Sequence, residues 1–325
     1  MNGFTLRFPV GIARLRRWRD HLPEYLAFQA PRGVMLVFFW WFYRHCVPAR
    51  QDAPILVYTM GKVGTITLEQ SLRSSGFYFT FATHRMELWI RGYPGFTRAE
   101  WRMIRLQGLL HLTGLRWLAR LPRLRVVTAV REPIARLISL YLFSYRPLFG
   151  EPAGEASMET LLARFPRLLE KEYVHPLIPG EFFSREIEGH LGIDIYAHPF
   201  DAAAGWGVIE QDNLSLLILK SEIPDEAKIA ACRRWLRCDV TMTRRNTAED
   251  GAYGGGLYAE FKRRVRIPRR LAEALYRSRY MHHFYTAEER ETFWRRWEPQ
   301  LDATLPVPAW IEAELREYHP PVAEA

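Results

Sequence analysis

The alternation of apolar and polar positions changes character at Pro54. Beyond it, short runs of β-branched and aromatic residues alternate with longer stretches in which leucines recur at helical spacing, the pattern of a parallel sheet covered by helices. Ile55 to Thr59 is apolar enough to be a strand buried on both faces, and a turn then leads into a helix from about Thr65 to Ser74. Phe77 to Thr83 reads as a second strand. Residues 97 to 120 read as a helix, with arginines set between Leu109, Leu110, Leu112, Leu115 and Leu118. Leu124 to Val130 forms a third strand, and Pro133 opens the next helix, where its fixed φ is favoured and its missing N–H costs nothing.

The second half is less regular. A helix is expected near residues 181 to 190, a short strand around Ile193 to Tyr196, and a hairpin with arms near 207–210 and 214–219 that turns through Gln211-Asp212-Asn213. Gly251 to Gly256, with Tyr253, is a glycine-rich loop, flexible by composition. Thr286-Ala287-Glu288-Glu289 has the form of a capping box, so a last major helix should run from there to about Trp297. No internal repeat is found.

Charge sets the N-terminal stretch apart. Residues 1–50 hold eight Arg against Asp20 and Glu24, a net +6 of the formal +9 carried by the whole chain. A nucleic-acid surface would spread its cations along the folded domain, so no nucleic-acid partner is expected. After Arg14, Arg16, Arg17 and Arg19 comes an apolar run, Val34 to Tyr43, well short of the roughly 20 residues a membrane span needs. Two readings stay open. The segment is a helix packed on the core with its arginines solvated, or residues 1–45 contact an anionic membrane surface, with Trp and Phe in the boundary region and Arg on the headgroups. There is no apolar run of eighteen residues and no secretory signal, and Cys46, Cys232 and Cys238 have no metal or redox spacing. A cytoplasmic protein, soluble or peripheral at the membrane, is the expectation. With 325 residues, 48% of them hydrophobic, the chain can bury the core of one large α/β domain, residues 51–325, behind an arm of residues 1–50.

Two segments carry candidate chemistry. The first runs from Tyr58 to Leu68 between a strand and a helix, and contains Gly61, Lys62, Val63, Gly64, Thr65, Ile66 and Thr67. Such a loop aims backbone N–H groups at an anion, the helix N-terminus adds partial positive charge, and Lys62 with the hydroxyls of Thr65 and Thr67 completes a cradle. It is not a Walker A loop, because Val63 stands where Ser or Thr should follow the lysine. The plain alternative is a strand-turn-helix without a ligand. The second segment runs from Val126 to Tyr141: Arg131 ends a strand, and Ser139 lies eight residues on in the helix that Pro133 starts. An arginine fork and a hydroxyl so placed can hold one phosphate group. The plain alternative pairs Arg131 with Glu132 or another carboxylate and puts Arg136 on a solvated helix face.

Taken together, the segments resemble the sulfotransferases that use 3′-phosphoadenosine 5′-phosphosulfate (PAPS). Lys62 matches the lysine of their 5′-phosphosulfate loop, and Arg131 with Ser139 matches, in order and spacing, the pair that binds the 3′-phosphate. The wording Arg131-Glu-Pro-Ile-Ala-Arg-Leu-Ile-Ser139 is similar to carbohydrate sulfotransferases and to bacterial capsular-polysaccharide sulfotransferase-like proteins. Weaker likeness to the bacterial group continues through Gly192–Tyr196, Leu219–Glu222 and Ser278–Tyr285 with Trp297, so the resemblance spans about residues 54–298. The departure is Gly61-Lys62-Val63-Gly64 where the cytosolic enzymes have Pro-Lys-Ser-Gly.

The resemblance implies a P-loop-like three-layer α/β/α fold with a central parallel sheet. It implies transfer of a sulfuryl group from PAPS to a hydroxyl of a carbohydrate or glycolipid acceptor, releasing adenosine 3′,5′-bisphosphate, with no metal. Lys62 would stabilise the departing oxygen. For the base that takes the hydroxyl proton, His84 is the first candidate: it titrates near neutral pH and stands at the carboxyl end of the second strand, facing the crevice where open α/β sheets bind ligands. Glu87 and His111 are runners-up. His282 and His283 read as structural or acceptor-side, and Glu222 as a residue holding a cofactor-side loop. The competing expectations are a P-loop kinase or NTPase, and a non-catalytic membrane-surface protein that binds a phospho-ligand.

Overall fold

The computed structural model of the protein describes residues 55–77, 80–84, 123–169, 178–243 and 255–318. The arm of residues 1–50, the helix expected over 97–120, Glu87, His111 and Gly251–Gly254 lie outside the described residues.

β1 (Ile55–Tyr58) is buried along its whole length. It leads through a short loop into α1 (Thr65–Ser74), which buries Leu68 and Leu72 on one face. α1 ends in a Schellman motif: Gly76 takes a φ of 96°, its N–H bonds to the Arg73 carbonyl at 3.1 Å, and the Phe77 N–H reaches the Leu72 carbonyl at 3.0 Å. That motif occupies Phe77, so β2 is Thr80–Thr83 rather than the longer strand expected from Phe77. β3 (Leu124–Val130) follows, and Pro133 occupies the first turn of α2 (Pro133–Phe149). α3 (Met158–Arg164) leads to a helical segment that widens to π geometry over Phe182–Glu188.

The expected hairpin is present as β4 (Trp206–Gln211) and β5 (Leu214–Lys220), turning at Asp212 with a φ of 49°. The strand expected at Ile193–Tyr196 is instead a 3₁₀ turn, because Asp194 Oδ1 accepts the Tyr196 N–H at 2.9 Å and offers the backbone a local bond in place of a ladder. The remaining helices are α4 (Asp225–Leu236), α5 (Gly255–Arg264), α6 (Arg269–Tyr276), α7 (Arg279–Phe284), α8 (Ala287–Trp297) and α9 (Ala309–Tyr318). Gly255 and Gly256 begin α5, so the glycine run does not extend as a loop to Gly256. The Thr286–Glu289 capping box forms as expected, its side chains bonded to each other's backbone N–H.

The result is a mixed α/β fold with one mostly parallel sheet in the order β2-β1-β3-β5-β4. β4 alone runs antiparallel in this sheet, as the expected hairpin requires; a two-residue turn can only join antiparallel neighbours. The centre is apolar: Val126, Val127 and Ala129 of β3 pair with Leu216, Leu217 and Leu219 of β5, all buried. Truncating one of those leucines to alanine costs about 2–5 kcal/mol, which makes this pair of strands the rigid floor of whatever stands on their carboxyl ends. α2 packs through Ile134, Leu137, Ile138 and Tyr141, and Tyr141 meets the rings of Phe165 and Phe261 at 5.2 and 5.3 Å.

Candidate functional site

β1 has β2 on one side and β3 on the other, so the chain leaves β1 in one direction and returns in the other. Open α/β sheets hold ligands at such a reversal, outside the carboxyl ends of the strands. The loop of residues 59–64 leaves β1 at that edge, and Arg131 with Glu132 leaves β3 beside it.

The first loop is held by its carbonyls. Arg136 Nε donates to the Gly61 carbonyl at 3.0 Å, Arg131 Nη1 to that of Lys62 at 2.7 Å, and Ser221 Oγ to that of Val63 at 2.9 Å. In a trans peptide the N–H of the next residue points opposite to the C=O, so the N–H groups of Lys62, Val63 and Gly64 face away from these donors. Lys62 and Gly64 take left-handed φ values of 72° and 92°, the kind of backbone that gathers successive N–H groups into an anion-binding concavity. α1 then starts with no side-chain cap and no acidic residue in its first turn, so its first N–H groups and dipole add positive potential at the same place.

The side chains of the loop follow this geometry unequally. Lys62 is half-buried with Nζ 4.5 Å from the Phe143 ring centre, and burial, then the neighbouring Arg131 guanidinium, lower its pKa to about 8. An anion between the two cations would offset both effects. Thr65 Oγ1 lies 2.6 Å from Thr59 Oγ1, so that hydroxyl is engaged within the loop. Ile66 exposes its side chain, 44% of it, and can serve an anion through its backbone alone.

Arg131 does not pair with Glu132. Its Nη2 donates to Tyr258 Oη at 3.4 Å, its backbone N–H to Tyr280 Oη at 3.0 Å, and Tyr280 Oη in turn donates to the Arg131 carbonyl at 2.8 Å. Glu132 is buried and caps α2, accepting from the N–H groups of Ile134 and Ala135 at 2.8 and 2.7 Å, from Tyr276 Oη at 2.5 Å and from Trp297 Nε1 at 3.1 Å. Its own N–H donates to Glu222 Oε1 at 2.7 Å. Burial pushes the Glu222 carboxyl up, against the pull of that bond and of Arg131. Arg136, placed by the plain reading on a solvated face, is fully buried. The helix turn brings Arg136, Ser139 and Phe143 onto one stripe of α2; its outer members touch Gly61 and Lys62, so buried Ser139 between them faces the same loop.

His84 stands at the end of β2 with Nδ1 2.7 Å from the Thr59 carbonyl. A carbonyl only accepts, so Nδ1 carries the proton of that bond. His283 packs among the rings of Tyr196, Phe200 and Phe284, its Nε2 buried without a partner. Among the described residues no group of three or more His, Cys, Asp or Glu side chains could hold a metal ion, and no helix is long and apolar enough to cross a membrane.

The structure therefore gathers Lys62, Thr65, Arg131, Ser139 and His84 around one edge and adds Arg136, Ser221, Tyr258 and Tyr280. The sequence alone does not assign the last four to the site. Arg136, Ser221 and Tyr280 lie inside segments that carry the family resemblance; nothing in the sequence marks Tyr258 beyond its being aromatic.

Residues 160–286 match the profile of the NKWYS family, described as "Putative capsular polysaccharide synthesis protein". No curated protein and no solved structure matches the chain. The matched stretch includes Ser221, Glu222, Tyr258, Tyr276 and Tyr280 and begins after Lys62, Arg131 and Ser139.

Proposed function

We propose that the protein is a sulfotransferase that takes a sulfuryl group from PAPS and delivers it to a hydroxyl of a carbohydrate or glycolipid acceptor, with the sheet and helices arranged as a P-loop-like three-layer domain. The observation that carries this reading is the loop of residues 61–64. Its carbonyls are turned to protein donors and its N–H groups to the other side, an uncapped helix follows, and Lys62, Arg131 and Ser139 stand around it. Those residues fit a donor with two separated anionic groups. The similarity to a capsular polysaccharide family supports a sugar as acceptor.

PAPS supplies the sulfuryl group on an activated phosphate-sulfate anhydride. The loop N–H groups and Lys62 hold the phosphosulfate end and neutralise charge on the oxygen that departs with adenosine 3′,5′-bisphosphate. Arg131 and Ser139 hold the 3′-phosphate. Alignment of acceptor oxygen, sulfur and departing oxygen is the main requirement, as in phosphoryl transfer, and it falls on a backbone fixed at three carbonyls. His84, its Nδ1 proton committed to Thr59, takes the acceptor hydroxyl proton on Nε2.

The test is incubation with sulfur-labelled PAPS and a panel of glycans and glycolipids, read by mass spectrometry for an added sulfate, with ATP and magnesium as a parallel donor. Sulfate transfer, reduced about 10²–10⁴-fold in His84→Ala without loss of adenosine 3′,5′-bisphosphate binding, is the expected result. Phosphate transfer from ATP in place of sulfate transfer would make it a kinase, and binding of the bisphosphate with no transfer to any acceptor would leave a binder.

A further inference from the structure

The three donors that meet the loop carbonyls come from three different elements: Arg131 from the end of β3, Arg136 from α2, and Ser221 from the end of β5. Ser221 does more than touch the loop, because its backbone N–H also donates to the Val130 carbonyl at 2.8 Å, the last residue of β3. One residue thus joins the loop after β1 to the strand that presents Arg131. The next residue, Glu222, accepts the Glu132 N–H and receives Tyr285 Oη at 3.3 Å, so the same corner also holds the start of α2. Arg136 reaches the loop from within α2, fully buried.

We propose that Arg136 and Ser221 are positioning residues for the candidate anion site. They set the direction of the loop N–H groups and the place of Lys62 by fixing the carbonyls of Gly61 and Val63, and they touch no reacting atom. The proposal rests on the sulfotransferase reading only for its turnover readout. Its physical core is that the loop, left without these donors, rotates its peptides and moves the Lys62 ammonium out of its half-buried position against Phe143.

The experiment compares Ser221→Ala, Ser221→Thr and Arg136→Gln in the full-length protein. Lys62 is labelled with an amine-acylating reagent across a pH series and quantified by peptide mass spectrometry, and turnover and KM for PAPS are measured in parallel. Wild type is expected to show a Lys62 midpoint near 8. In Ser221→Ala the midpoint rises toward the ordinary lysine value. With thermal stability retained, turnover falls about tenfold and KM changes less, the size of effect one hydrogen bond can exert. Ser221→Thr keeps the hydroxyl and restores both. Arg136→Gln, if folded, shifts the midpoint further; if it does not fold, the Ser221 pair decides the matter. A folded Ser221→Ala with the wild-type midpoint and turnover overturns the proposal. A shifted midpoint in a protein that transfers no sulfate to any acceptor leaves the positioning role standing and overturns the sulfotransferase reading instead.

Discussion

Two strand-to-helix turns stand side by side at the carboxyl edge of the sheet and are finished in opposite ways. After β3, the buried carboxylate of Glu132 takes the first N–H groups of α2 and is itself held by Tyr276 and Trp297. After β1, α1 begins at Gly64 with no capping side chain and no acid in its first turn. A helix start carries about half a positive charge, so the protein neutralises one from within and leaves the other to be met from outside. The difference says where a two-headed anion can sit. On the proposed reading, one head of the donor uses main-chain N–H groups at α1, while the other, near α2, finds that place taken and is held by the side chains of Arg131 and Ser139.

The comparison is broken most strongly by emptying the filled turn. Glu132→Ala uncaps α2 and leaves the Tyr276 hydroxyl and Trp297 indole buried without an acceptor, a loss of at least about 3 kcal/mol that chemical denaturation would register. Next comes the open turn. Lys62→Ala should lower turnover about 10²–10³-fold, the range seen when one donor to a developing anion is removed, while its denaturation midpoint stays near wild type. Midpoint loss comparable to that of Glu132→Ala would mean that Lys62 is structural.

A smaller effect makes the two turns alike. Ile66→Glu places a carboxylate in the exposed first turn of α1, so adenosine 3′,5′-bisphosphate should bind about tenfold more weakly by calorimetry. The ligand-free protein should gain about 0.3–1 kcal/mol. The smallest effect separates Lys62→Gly from Lys62→Ala: the φ of 72° suits glycine, so the glycine variant should be the more stable of the two by about 1 kcal/mol, with the same loss of turnover in both.

A pH series sharpens the same contrast. Because Lys62 loses its proton near pH 8, kcat/KM should fall as pH rises through that value, and the limb for kcat should lie higher once bound anion restores the charge. The stability sign is opposite. The unfolded chain keeps that proton up to the ordinary 10.5, so between about pH 8 and 10.5 this group makes folding more favourable as pH increases.

Much of the fold is legible because its elements are set locally. β3, the β4–β5 hairpin, the proline start of α2 and the Thr286 capping box all come from periodicity, turn chemistry or caps within a few residues. The misses are also local but depend on a competing bond: Asp194 turning Tyr196 away from a strand, and Gly76 holding Phe77 to the end of α1. At the candidate site, Lys62, Arg131 and Ser139 are named through a family resemblance carried by two short segments, whereas Ser221 and Tyr280 reach it over 158 and 149 residues. Periodicity carries no information on contacts of that separation. Arg136 misleads for a different reason, since a lone arginine in a helix is usually solvated and only the tertiary fold supplies the carbonyl that lets it be buried.

That Arg131, Arg136 and Ser221 all grip main-chain oxygens has a consequence for how such a loop can change over evolutionary time. A carbonyl is the same on every residue, so the grip does not read which side chains the loop carries. Either valine or serine can follow Lys62 without weakening any of the three bonds, provided the backbone keeps its turn. Descendants of such a protein would be free to rewrite residues 61–64 for a different anion while inheriting the support unchanged, and the lasting family signature would then be found in the supporting residues more than in the loop itself.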